Sequence, residues 1–489
     1  MNYYIETNLS DQTLNIEVAL KIIDSDAMLT SSESGVKVVI ILEQENFTIT
    51  VSAPTLLPAE EPWQYHDQNI FDPRYREPDK KQRRKELVRL GIVKVIGEYF
   101  KKEPQWGILS AVRPSKIYHH LQEKGFSNTE IREILLNVYA IAPEKVALLI
   151  AVGSSQTKFF KPHNYISLYV GIPFCPTRCR YCSFAAYSLE THRHLVANFL
   201  KGLETEIQAT GNLCREMDFT IESIYLGGGT PTSLTEGEFA LVLEWLRQSI
   251  FTEEIVEFTV EAGRPETISK PKLQAMIKAG VNRISINPQS MQNRTLKMIG
   301  RNHTVEQIYQ AVGMVRQETD FVVNMDLIMG LPGETGDLFQ DSLQKVIELQ
   351  PDNITVHTLA PKRAADWRKQ FNMLGCAEDG ELLNINRQTI SVLSQYQYLP
   401  YYLYRQRLIL ADLENIGYAK PGNESIYNIQ MMEERQSIIG IGGGAVTKWV
   451  TGPEHIVTRH QNPKCPATYY QRLPEEIAKK AQQTRLLLS

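Results

Sequence analysis

Between residues 161 and 375 two kinds of hydrophobic pattern alternate along the chain. Apolar runs recur at YISLYVGIP, SIYLGGGTP, FTVEAG, RISINPQS, FVVNMDLIMGLP and ITVHTLAP, and amphipathic segments such as FALVLEWLRQSI, KLQAMIKAG and FQDSLQKVIELQ lie between them. Short apolar runs read as buried strands and the segments between them as helices, so the order predicts parallel strands joined by right-handed crossovers. Six such units predict an α/β fold, a partial (β/α)6 barrel two units short of the closed form. Such folds place their chemistry at the C-terminal ends of the strands, and here each run ends in a polar or glycine-rich phrase.

The flanking regions read differently. Residues 1–160 predict an α+β extension: the alternation in KVVIILEQENFTITV predicts a strand pair turning near Glu45 and Asn46, and a proline-dotted polar stretch then leads into helical patterns. Within it, Lys80, Lys81, Arg83, Arg84 and Lys85 read as a solvated helix start, with contact to an anionic partner as the other reading. The phrase GILSAVRPSKI, residues 107–117, is too polar and proline-interrupted to be helix filling. Residues 376–489 predict a mainly helical region that covers the barrel mouth and carries the aromatic PYYLYRQ and the glycine loop GIGGGAV.

With 489 residues, 43% hydrophobic and 22% charged, the composition is that of a soluble globular protein of two or three domains. A net charge of -4 exerts no global pull toward nucleic acid or membrane. No apolar run is long enough to span a bilayer, and the opening MNYYIETNLSDQ lacks the basic flank and apolar core of a secretory signal. The expectation is a cytoplasmic protein with no membrane span and no nucleic-acid partner.

The chain has six cysteines, and three of them fall within CPTRCRYC at residues 175–182; Cys214, Cys376 and Cys465 lie far apart and read as packing or surface residues. Cys175, Cys179 and Cys182 directly follow the first strand of the expected barrel. A structural zinc site would want a fourth protein ligand, usually from a second cysteine pair downstream, and the sequence has no such pair. Three thiolates suit an iron-sulfur cluster with one iron left open for a substrate or cofactor. At the later strand ends, Gly227, Gly228 and Gly229 with Thr230 and Pro231 let backbone approach a ligand closely. Glu261, Gln289 and Asp326 offer acceptors for ammonium and hydroxyl groups, and Arg301 a partner for a carboxylate. His303 and His357 lack a metal-ligating partner at local spacing and read as hydrogen-bonding residues after strands.

The C-x3-C-x2-C spacing resembles that of the radical SAM enzymes. That resemblance implies a 4Fe-4S cluster whose open iron is chelated by S-adenosylmethionine, which is cleaved to a 5′-deoxyadenosyl radical. YVGIPFCPTRCRYC, GGGTPTSL, FTVEAG, NPQSM, IGRNHT and DLIMGLPGET together are similar to the oxygen-independent coproporphyrinogen III dehydrogenase superfamily. VHTLAPKRA, PYYLYRQ, GYAKPG and IGIGGGAVTK resemble its HemZ branch. The resemblance implies that Tyr169, Gly228 and Glu261 contact the cluster-bound SAM or its neighbour and that Tyr181 packs on adenine. It further implies SAM-contacting roles for Gly229, Thr230, Gln289, Arg301, Asp326, Ala360 and Val446, with room for two SAM molecules.

The implied reaction is oxidative decarboxylation of two propionates of coproporphyrinogen III to the vinyl groups of protoporphyrinogen IX, in haem biosynthesis, with a flavodoxin or ferredoxin as electron donor. A tetrapyrrole carrying four carboxylates wants cations around an apolar slot, and Arg264, Lys362, Arg363, Arg405 and Lys420 are the candidates, with Tyr401, Tyr402 and Tyr404 as flat surfaces. One departure from the pattern is Phe184, which stands where dehydrogenases of the superfamily continue to a fourth cysteine. The superfamily's haem chaperones also lack that cysteine. A haem-binding chaperone and a radical enzyme acting on haem itself therefore stand beside the dehydrogenase.

Overall fold

The computed structural model describes all residues except 10–12, 34, 111, 185, 361–377, 407 and 489, together with the side chains of 13–15. The chain divides into two compact units, Met1–Ser154 and Ser155–Ser489.

In the first unit a five-stranded sheet has the order β2-β1-β3-β4-β5, built from β1 (Asn2–Thr7), β2 (Met28–Leu29), β3 (Val36–Glu43), β4 (Thr48–Ser52) and β5 (Trp63–His66). β3 and β4 form the expected antiparallel pair, with Glu43 opposite Thr48 across the turn. Helices α1 (Thr13–Ile23) and α2 (Glu77–Phe100) accompany the sheet, and α3 (Ser115–Glu123), α4 (Asn128–Asn137) and α5 (Pro143–Gln156) follow. The basic run lies in the first turns of α2 and is not uniformly solvated: Arg83 is 3% exposed and ion-pairs with Asp67 at 3.0 Å and Glu86 at 3.2 Å.

The second unit is ordered as β6 (Tyr165–Ile172), β7 (Phe174–Cys175), β8 (Tyr187–Ser188), α6 (Leu189–His192), α7 (Val196–Glu216), β9 (Thr220–Gly228), α8 (Glu236–Ser249), β10 (Glu257–Glu261), α9 (Lys270–Lys278), β11 (Arg283–Ser285), α10 (Asn293–Met298), α11 (Val305–Glu318), β12 (Val322–Met329), α12 (Gly336–Glu348) and β13 (Asn353–Thr358). α13 (Asp379–Gln395), β14 (Leu399–Tyr404), β15 (Asn415–Ala419), α14 (Ile426–Glu433), β16 (Ser437–Gly442), β17 (Val446–Thr451), β18 (Ile456–Gln461) and α15 (Pro466–Leu488) complete it.

Strands β6, β9, β10, β11, β12 and β13 are neighbours in sequence order and all parallel, the six units expected of the partial barrel. Local chemistry explains the crossovers. Thr235 and Glu238 form a reciprocal capping box that starts α8, Thr304 and Gln307 do the same for α11, and each satisfies donors that a helix start leaves open. The outward side chains Leu168, Val170 and Ile172 of β6 are fully buried against the helices. Burial of each such side chain stabilises the fold by about 1.5–3 kcal/mol.

Residues 376–489 carry more helix than strand, yet they also extend the sheet at both edges, to eleven strands. β15 pairs antiparallel with β13 and β14 with β15; on the other side β16 runs parallel to β6 and is followed by β17 and β18. α14 closes the floor of the barrel, where Asn423 and Glu424 present their carbonyls to Arg283 at 2.9 and 3.2 Å. Among the described residues no helix is long and apolar enough to cross a membrane.

Candidate functional site

The barrel interior is polar at its upper end because alternate residues of each strand point inward. Tyr169 on β6 and Tyr225 on β9 lie side by side with ring centroids 6.2 Å apart. Tyr427 of α14 reaches up from the floor and stacks on Tyr225 at 4.4 Å, with its plane 22° from parallel. Burial raises the phenol pKa of Tyr169, Tyr225 and Tyr427 above the ordinary range, so the three rings form a neutral flat wall.

Glu261, the last residue of β10, stands above that wall. Its Oε1 accepts from the Tyr225 hydroxyl at 3.0 Å and its Oε2 from the Gly228 amide at 3.0 Å. Burial pushes its carboxyl up to about 7, and the nearby charge of Asp326 adds to the rise. The glycine triplet makes this geometry possible. A Cβ on Gly227 would come within 2.5 Å of Glu261 Oε2, and one on Gly229 within 2.4 Å of the Phe174 carbonyl. The turn after β9 therefore lies directly against the cysteine loop, where the Thr230 amide donates to Phe174 O at 2.7 Å.

The three cysteines sit in this loop, each partly buried. The Thr230 hydroxyl donates to Cys175 Sγ at 3.5 Å, and Arg264 Nη1 donates to Cys179 Sγ at 3.8 Å. Burial pushes the Cys175 thiol up to about 12, and the charges of Cys179 and Cys182 push the same way, so the three sulfurs share one electrostatic neighbourhood. Among the described residues no three His, Cys, Asp or Glu side chains are gathered closely enough to enclose a single ion. Three thiols in one loop, each able to reach a separate iron, fit the ligand set of an iron-sulfur cluster. Hydrogen bonds already aimed at two of the sulfurs are the kind that tune a cluster.

Arg301 is central to the loop's attachment. It is 7% exposed, and its Nη1 donates to the carbonyls of Gly263 at 2.8 Å and Asn287 at 2.5 Å, while Nη2 donates to the Tyr181 hydroxyl at 3.2 Å. It thereby joins the segments after β10 and β11 to the cysteine loop. Among the described residues its Nε and the neighbouring Asn287 Oδ1 are buried without a partner, an orphaned donor and acceptor at the same strand ends. Such a pair fits a polar ligand between these loops.

The remaining strand-end residues gather at this end of the barrel. Gln289, at a left-handed φ of 70°, bridges to β12 by donating its amide to Asp326 O at 2.8 Å. Asp326 Oδ2 lies 3.5 Å from His357 Nε2, and the other ring nitrogen of His357 lies 3.2 Å from the Tyr404 hydroxyl. Ala360 follows β13 and is buried. Val446 begins β17, beyond a loop whose Gly442 amide donates to the buried Glu206 at 2.7 Å and whose Gly442 is level with Gly171 of β6. His357 lies within β13 and His303 in the loop after α10, so neither follows a strand.

The cations expected to clamp carboxylates are placed differently. Arg264 is 2% exposed and committed to Thr177, Cys179 and Glu266, so it is out of reach of a bulky substrate. Lys420 lies at the opposite end of the barrel: β15 runs antiparallel to β13, with Ala419 opposite Asn353, and Lys420 caps the Tyr398 ring at 5.4 Å. Arg405 follows β14 at the site end, where it is buried and paired with Asp412. Lys362 and Arg363, like Cys376, lie outside the described residues. Tyr401 and Tyr402 pack into an apolar cluster with Ala419 and Ile429, and Tyr404 reaches the site through His357.

Tyr225 and Tyr427 escape the sequence reading. Tyr225 carried a signal, since it stands two positions before Gly227 on the same face of a strand. Tyr427 carried none, because its position depends on α14 folding beneath the barrel.

Comparison with known proteins gives the family of the chain. The Radical SAM superfamily model matches residues 169–346. The chain is 42% identical over 373 residues to the oxygen-independent coproporphyrinogen-III oxidase-like protein HemZ of Bacillus subtilis, covering 75% of this chain and 74% of that protein. It is 28% identical over 309 residues to the heme chaperone HemW of Haemophilus influenzae, covering 62% of this chain and 75% of that one. Its fold is similar to that of the solved coproporphyrinogen III oxidase HemN of Escherichia coli, with a TM-score of 0.53 and 25% identity over 66% of this chain and 73% of that one.

Proposed function

Because the chain belongs to the radical SAM superfamily, in its HemZ-like branch of oxygen-independent coproporphyrinogen-III oxidase-like proteins, we propose that it decarboxylates coproporphyrinogen III oxidatively to protoporphyrinogen IX. The observation that carries this reading is the likeness over three quarters of the chain to a protein named as coproporphyrinogen-III oxidase-like, together with the cysteine loop packed against Gly229 and Thr230.

In this reading Cys175, Cys179 and Cys182 hold a 4Fe-4S cluster, and Tyr169, Tyr181, Gly228, Gly229, Thr230, Glu261, Gln289, Arg301, Asp326, Ala360 and Val446 surround one or two SAM molecules. Bound there, cluster and SAM supply a one-electron cleavage that yields a radical able to take hydrogen from unactivated carbon. The chain's own work is placement and exclusion. Glu261 offers a carboxyl that titrates near neutrality to an ammonium or hydroxyl group, held at both oxygens by Tyr225 and Gly228. Arg301 keeps the loops after β10 and β11 fixed to the cysteine loop while its Nε remains available to a ligand. The wall of Tyr169, Tyr225 and Tyr427 keeps water from below. Each of two propionates would give up a hydrogen atom to the 5′-deoxyadenosyl radical, forming 5′-deoxyadenosine, and then release CO2 as it passes one electron to an external one-electron acceptor; a flavodoxin or ferredoxin would reduce the cluster.

A haem-chaperone reading is favoured by one feature, Phe184, which is 67% exposed in the cysteine loop where a fourth cysteine is expected of the dehydrogenases. The test is anaerobic reconstitution with SAM, dithionite and coproporphyrinogen III, followed by chromatography with mass detection. The dehydrogenase yields 5′-deoxyadenosine and protoporphyrin together. Stoichiometric haem binding with no loss of CO2 from the porphyrinogen would replace it with the chaperone, and a modified haem with deoxyadenosine would point to an enzyme acting on haem.

A further inference from the structure

We infer that Arg264 is a positioning residue that sets the reduction potential of the cluster through its contact with Cys179, and that Glu266 counterbalances it. This inference rests on the cluster assigned above to the three cysteines.

Arg264 follows β10 and is among the largest fully buried side chains of the protein. Nη1 donates to Cys179 Sγ at 3.8 Å and to the Thr177 carbonyl at 3.4 Å, and Nη2 donates to the Thr177 hydroxyl at 3.0 Å. From behind, Nε donates to Glu266 Oε1 at 2.8 Å, and Glu266 Oε2 lies 3.0 Å from Nδ1 of the buried His303. A line of side chains therefore runs from His303 through Glu266 and Arg264 to a cluster ligand.

Removing a guanidinium from water costs several kcal/mol unless it is paired. Glu266 supplies the pairing, but it does not require the other face of the guanidinium to meet a sulfur. A neutral donor could hold the Thr177 carbonyl as well. What only a cation supplies is charge, and a cluster's potential depends on its net charge, its surroundings and the hydrogen bonds to its sulfurs. The reduced cluster carries one more negative charge than the oxidised cluster, so a fixed cation beside Cys179 favours reduction. The carboxylate of Glu266, one step further away, opposes it.

This predicts potential shifts of opposite sign, which a mere strut would not produce. Full-length protein and its Arg264→Lys, Arg264→Met and Glu266→Gln variants are reconstituted anaerobically, assayed for iron and sulfide, and titrated with dithionite and mediators while the reduced-cluster signal is followed by electron paramagnetic resonance. Arg264→Lys should stay near the parent potential. Arg264→Met should shift negative by about tenfold in the reduced-to-oxidised ratio, about 59 mV for one electron, and Glu266→Gln should shift positive. Unchanged potentials, or shifts of the same sign, overturn the inference while leaving the cluster in place. A parent protein that takes up no iron overturns the cluster assignment and this inference with it. If Arg264→Met alone fails to take up iron, Glu266→Gln decides, because its potential must rise.

Discussion

Glu257 and Glu261 occupy the two ends of one strand, β10, and point into the same barrel, yet their surroundings differ in kind. Glu257 at the floor accepts from the Ser425 hydroxyl at 2.9 Å and from the amides of Ile426 at 2.7 Å and Tyr427 at 3.2 Å, so it caps the start of α14; Arg283 lies 3.4 Å away. Glu261 at the top has two neutral donors and, among the described residues, no Lys or Arg ion pair. The floor carboxylate faces a cation and a helix start and holds elements together. The upper one, among the described residues, pairs with no Lys or Arg and is held by neutral dipoles, the condition of a group that awaits a charged or hydrogen-bonding ligand.

The sharpest division between the two ends comes from removing a proposed cluster ligand. Cys179→Ala should abolish cluster uptake and deoxyadenosine formation while leaving the cooperative unfolding transition in place, as measured by iron content and by denaturant titration. At the floor, Glu257→Ala leaves Arg283 buried and unpaired, so it should lower unfolding stability by about 3–5 kcal/mol. Glu261→Gln should change stability little near pH 5 but weaken SAM binding at least about tenfold, about 1.4 kcal/mol, by isothermal titration.

The pH dependence separates the ends further. Glu261 has a folded pKa of about 7 against an ordinary value of 4.5, so the folded state binds that proton more tightly. Its contribution to stability is complete below pH 4.5 and is lost as pH rises through 7. The loss amounts to on the order of 3 kcal/mol, and urea midpoints between pH 5 and 8 should show a slope that Glu261→Gln flattens. The smallest expected effect is that of Phe184→Cys: at an exposed position it should alter stability by no more than about 0.5 kcal/mol.

The barrel was legible in the sequence, and so was the placement of the candidate residues at its strand ends, because parallel buried strands leave near-continuous apolar runs and their ends leave glycines and acids. Glu261 and Asp326 sit on β10 and β12 as their phrases imply. Direction was not legible. The pattern of LPYYLY and NIGYA does not reveal that β15 turns back along β13 whereas β14 runs in the direction of β13, so that Lys420, after β15, lies at the floor and Arg405, after β14, at the top. Arg264 illustrates a second limit: a cation beside a strand end looks available in one dimension, whereas in three it is enclosed by Thr177, Cys179 and Glu266. Tyr427 illustrates a third, since long-range docking of a helix supplies a wall that local pattern does not encode.

The most direct test of chemistry at one end and fold at the other is the anaerobic rate of 5′-deoxyadenosine formation from SAM and dithionite in the parent protein, Glu261→Gln and Lys420→Ala. The account predicts that Glu261→Gln loses most of the rate and that Lys420→Ala keeps it. A parent rate retained by Glu261→Gln, or an equal loss in Lys420→Ala, would contradict the assignment of the site to the upper end of the barrel.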